Sequence, residues 1–134
     1  MEWKAEYSVA LPEIDKDHQI LVDCMTEIEE AISKRESVQP GIAKLAYLSR
    51  THFSAEETLM RAMGYSDIDA HVQEHKRFLT DLKALGGEAA ATGQDKESVA
   101  RLKAWLENHF LSDDRQYASL LSKENKEYVR KYYL

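Results

Sequence analysis

Few residues in this chain can stop a helix. Two prolines and five glycines interrupt 134 residues, and between these breaks apolar residues recur at three- and four-residue intervals. That spacing keeps one face of a helix apolar. The first such stretch covers about 15–35, with the stripe Ile14, His18, Leu21, Met25, Ile28 and Ile32. The second covers about 40–63, with Ile42, Leu45, Leu48 or Ser49, His52, Glu56, Leu59 and Met63. The third covers about 68–85, with His71, His75, Phe78, Leu82 and Leu85; the fourth covers about 96–112, with Val99, Leu102, Leu106 and His109. Pro12 is expected to end an extended arm over 1–13. Pro40 with Gly41, Gly64, and Gly86 with Gly87 are expected to break the chain, and Gly93 to close the last loop. No segment alternates like a strand. The expectation is an all-α, single domain over 1–134: an up-down-up-down antiparallel four-helix bundle with an N-terminal arm and a short C-terminal helix in the Tyr-rich tail, about 114–134.

Composition narrows the function classes. The chain carries a formal charge of −6, which argues against nucleic acid or an anionic membrane surface as partner. Its single cysteine, Cys24, leaves no internal disulfide. No apolar run reaches the roughly 18 residues of a membrane helix, and the first residues lack the basic-then-apolar pattern of a signal peptide. The expected location is the cytoplasm.

All five histidines, His18, His52, His71, His75 and His109, fall on inward stripes, and each helix supplies at least one. A lone histidine on an apolar face is more often a satisfied core residue than a ligand. Five buried separately would need five separate hydrogen-bonding solutions; one shared consumer in the core answers for all. His52 and Glu56 are four residues apart, as are His71 and His75 in "HVQEH", so each pair shares a helix face. Glu57 lies about 100° around the helix from Glu56 and reads as solvated. The fourth helix offers Asp113 and Asp114 after His109. Ideal helix geometry prefers Asp113, with about 40° of mismatch against about 140° for Asp114; Asp114 reaches inward only through a widened or terminating turn. Geometry alone leaves the choice open.

The motifs "EIDKDH" ending in His18, "HFSAEETLM" with His52 and Glu56, "HVQEH", and "WLENHFLSDD" with His109 together resemble the hemerythrin family, in its single-domain bacterial form. The order and spacing cover about residues 1–120. The resemblance implies two iron ions with an oxo or hydroxo bridge. His71, His75 and His109 would hold one, His18 and His52 the other, and Glu56 and Asp114 would bridge them. It selects Asp114 over Asp113 and so predicts a disturbed helix after His109. Phe110 stands where the family more usually has isoleucine. Two octahedral ions have twelve positions; these ligands fill all but one, and the family gives the vacancy to O2. Leu106, Trp105, Phe53 and Leu21 are the expected O2-pocket residues. An imidazole-rich site in apolar surroundings suits reversible binding rather than oxidation, so the resemblance implies an oxygen carrier, store or local supplier and not an enzyme. Alternatives are an oxygen or redox sensor signalling to a partner protein, a weak peroxidase and a nitric-oxide handling protein.

Overall fold

The structure is a computed structural model and describes residues 1–8, 12–92 and 95–113. Four helices dominate them: α1 (Pro12–Ser33), α2 (Gln39–Met63), α3 (Ile68–Thr92) and α4 (Asp95–Asn108). Each packs on its neighbour in the chain, and α1 also packs on α4, which closes the ring. Helices of this length joined over residues 34–38 and 64–67 must double back on each other, so the expected all-α four-helix bundle is what forms. Among the described residues no helix is long and apolar enough to cross a membrane.

Two boundaries correct the sequence reading. Pro12 was expected to end the arm, yet it opens α1. Proline suits a first helical turn, where its missing N–H has no partner to lose. The arm before it is not wholly extended either, because Ala5–Tyr7 form one 3-10 turn. Gly86 and Gly87 were expected to break the third helix, and α3 instead runs through both to Thr92. A helix-interior glycine costs about 1 kcal/mol relative to alanine. The Glu-Ala-Ala-Ala run that follows consists of strong helix formers and carries the helix on.

The ends that hold the bundle in register are local. Gly64 closes α2 in the left-handed conformation (φ 68°, ψ 35°), and the Tyr65 N–H donates back to the Met60 carbonyl at 3.0 Å, a pattern that satisfies the last carbonyls of a helix. Arg35 does the same work after α1 at φ 55°, with the Glu36 N–H donating to the Ala31 carbonyl at 2.8 Å. Gly41 serves packing instead of turning. A Cβ there would sit 2.7 Å from Ile28 Cγ1, so its bare backbone lets α2 approach α1. Around this contact Cys24, Met25, Ile28, Val38, Ile42, Leu45, Leu82, Leu85, Val99 and Leu102 form part of one apolar core. The stripe ambiguity in α2 resolves to Ser49, fully buried, with Leu48 half-buried.

After α4 the helix widens. Residues His109–Asp113 form a π-helix, the disturbed turn that the five-residue spacing to Asp114 calls for. Asp114 itself lies outside the described residues, as does the expected C-terminal helix.

Candidate metal centre

The stripes place all five histidines in one buried cluster. His18, His52, His75 and His109 are at most 2% exposed and His71 is 6% exposed. In their midst lies Glu56, with no exposed surface at all. A buried carboxylate needs counter-charge or a cation to be tolerated, and the histidines are arranged around it unevenly. Oε1 faces three of them: His71 Nε2 at 2.5 Å, His75 Nε2 at 2.9 Å and His109 Nε2 at 3.4 Å. Oε2 faces His52 Nε2 at 2.9 Å, and the His52 ring meets His18 edge to face, 4.9 Å between centroids.

Two sets of donors result. Glu56, His71, His75 and His109 offer ligand atoms all within 4.8 Å of one another, and so do His18, His52 and Glu56. Either set is able to hold a metal ion, and Glu56 belongs to both. The donors fit a cation pair better than they fit each other. Three ring nitrogens converge on one carboxylate oxygen, more than its two lone pairs take in good geometry, whereas a cation between them would be met by all four atoms. Neutral imidazole with carboxylate suits iron, manganese, zinc or cobalt, and a pair of six-coordinate ions favours iron or manganese over zinc, which prefers four ligands.

The far sides of two rings are also held. His52 Nδ1 lies 2.5 Å from Asp17 Oδ2, and His75 Nδ1 lies 2.8 Å from Glu57 Oε2. An ionised carboxylate only accepts, so both Nδ1 atoms carry the hydrogen and donate it. Burial alone would pull His52 down, but Glu56 and Asp17 outweigh it and push it up to about 10. Burial would likewise raise Glu56, but His109 and His52 hold it well below the usual carboxylate range. Periodicity alone puts Glu57 on a solvated face and says nothing of Asp17. The available signal was adjacency: each follows or precedes a member of the cluster in sequence, Asp17 before His18 and Glu57 after Glu56.

Aromatic rings wall the cluster. Phe53 lies flat on His75, with centroids 3.9 Å apart and planes 3° apart. Trp105 lies on His109 at 4.8 Å and 13°, and its indole N–H donates to Glu74 Oε2 at 3.4 Å. Phe110, the residue that departs from the expected isoleucine, stacks on His18 at 4.3 Å and 26°. Behind it Tyr7 meets Phe110 edge to face at 5.6 Å, which ties the N-terminal turn to the cluster. Leu21 and Leu106 are buried in the same apolar core as Phe53, and Trp105 packs against it half-buried.

A family model described as the hemerythrin HHE cation binding domain matches residues 9–121. The chain belongs to the hemerythrin family. Among its relatives, a myohemerythrin of Theromyzon tessulatum is 26% identical over 120 residues, covering 90% of this chain and 92% of that one. A bacteriohemerythrin of Clostridium acetobutylicum is 26% identical over 124 residues, covering 86% of this chain and 96% of its own length. A bacteriohemerythrin of Pseudomonas aeruginosa is 27% identical over 132 residues, with coverage of 96% and 86%. For a hemerythrin the family-level function is oxygen binding at a non-haem di-iron centre. The buried His and Glu groups of this hemerythrin are chemically suited to such a centre.

Proposed function

We propose that this hemerythrin is a reversible O2 carrier, store or local supplier. Its iron pair would be held by His71, His75 and His109 on one side and by His18 and His52 on the other. Glu56 and Asp114 would bridge. The observation that carries the reading is the split of Glu56: one oxygen faces three histidines and the other faces the second group. A carboxylate placed this way is oriented to share two cations. The widened turn from His109 to Asp113 supports Asp114 as the second bridge.

When bound, a ferrous pair would supply the electrons and the coordination site that hold O2 reversibly. The chain's own residues decide that it stops there. Five neutral imidazoles deliver less negative charge than carboxylates would. Asp17 and Glu57 keep the hydrogens of His52 and His75 on Nδ1, which leaves Nε2 turned to the cluster. The pocket assigned to Phe53, Trp105, Leu106 and Leu21 excludes water and withholds the protons that further oxygen chemistry would consume. Its flat rings also fix the planes of His75 and His109.

The test is a visible spectrum through cycles of oxygen and argon after anaerobic iron loading. A band that comes with O2, leaves under argon and returns over several cycles supports a carrier. Irreversible bleaching in the first cycle contradicts it. Leu106→Ser should admit water and speed autoxidation by about tenfold, roughly 1.4 kcal/mol of barrier; an unchanged rate removes Leu106 from the pocket.

A further inference from the structure

We infer that Asp17 and Glu57 are paired positioning residues, one for each half of the centre, that brace it across the helices. The inference rests on the di-iron reading above and adds to it an assignment for two acids outside the donor sets. Asp17 on α1 receives the Nδ1–H of His52 on α2 at 2.5 Å. Glu57 on α2 receives the Nδ1–H of His75 on α3 at 2.8 Å. Each acid therefore holds a histidine of the neighbouring helix while its own chain neighbour, His18 or Glu56, enters the cluster from the acid's own helix. The two clamps run α1 to α2 and α2 to α3. A shift of α1 against α2 would displace His18 and drag the His52 ring with it, so the two donors of that half move as one. The same holds for Glu56 and His75 across α2 and α3.

The clamps are unequal. Glu57 is 18% exposed and also faces Arg61 Nη2 at 3.7 Å through its other oxygen. Asp17 is 33% exposed, and among the described residues no lysine or arginine pairs with it. Among them its charge faces His52, at the shorter distance. An anionic acceptor behind an imidazole makes the ring a better donor, and losing such a partner typically lowers metal affinity by about 10–100-fold. Asp17 should accordingly matter more than Glu57.

The test loads the full-length protein and its D17N, D17E and E57Q variants anaerobically with ferrous iron. It then follows iron release to a colorimetric ferrous chelator and the reduction potential, with the melting temperature of each iron-free protein alongside. The expected result is release at least about tenfold faster in D17N, a smaller acceleration in E57Q, a potential raised in both, and near-recovery in D17E. A variant that melts like wild type when iron-free yet no longer loads supports the assignment too. Wild-type release rates and potentials in loaded D17N and E57Q would overturn it, even if their iron-free forms melt lower, because that is what a merely structural hydrogen bond would give. Wild-type protein that takes up no iron would sink the di-iron reading instead, a failure seen before any variant is compared.

Discussion

The two ends of the bundle are built from the same four stripes and obey different rules. At one end Met25, Ile28, Leu45, Leu82 and Val99 fill space, and what matters there is volume. At the other end His18, His52, Glu56, His71, His75 and His109 occupy equivalent inward positions, and what matters is which atom meets which. The apolar end is held by burial, which is non-directional and tolerant of exchange. The polar end carries a buried carboxylate whose cost is met only through specific partners. Stability and function are thus separable along the bundle axis, and substitutions at the two ends should separate them.

The largest contrast is expected at Glu56. Glu56→Gln removes the shared charge from both donor sets at once, and iron uptake should fall by more than the roughly 10–100-fold that an outer partner is worth; elemental analysis after anaerobic loading reads it. The counterpart is Leu45→Ala, which should cost about 2–5 kcal/mol by chemical denaturation while iron per chain stays at the wild-type value. If Leu45→Ala also empties the site, the two ends are one unit and the comparison fails. Gly41→Ala comes next. Its new methyl meets Ile28, and overpacking should cost about 1–3 kcal/mol. In an Ile28→Ala background, which removes the obstructing Cγ1, the same substitution should cost less than it does in the wild type.

The ends should also answer differently to pH in the iron-free protein. His52 is raised from 6.5 to about 10. The stability it contributes is complete below 6.5 and disappears as pH rises through 10. Cys24, in the apolar end, is raised by burial from 9.0 to about 11, so its contribution is intact up to pH 9 and fades only beyond. Urea midpoints should therefore begin to fall well below pH 9, and Cys24→Ala should flatten only the segment above it. Midpoints level from pH 6.5 to 9 would contradict the pairing of His52 with Glu56 and Asp17. The smallest expected effect is Arg35→Gly, which relieves a left-handed side-chain-bearing residue and should gain up to about 1 kcal/mol without touching iron.

The sequence made the histidine stripes legible because three- and four-residue spacing is a property of a single helix. It could not make Glu57 legible for the same reason. Viewed on its own helix, Glu57 does point away from Glu56; it becomes a partner of His75 only because α3 lies alongside. Asp17 was hidden in the same way, since its role depends on α2. The fold class followed from the rarity of breaks, but Gly86 and Gly87 misled, because a glycine weakens a helix by an amount that the following alanines offset. The choice between Asp113 and Asp114 could not be made from ideal helix geometry, and the backbone departs from that ideal at His109–Asp113.

The most direct measurement of the central idea, that Glu56 gives one oxygen to each of two cation sites, is an anaerobic titration of the iron-free protein with ferrous iron, read as bound metal per chain. The account predicts saturation at two irons in the wild type and loss of both together in Glu56→Gln. Saturation at one iron, or a Glu56→Gln protein that still holds two, would contradict it.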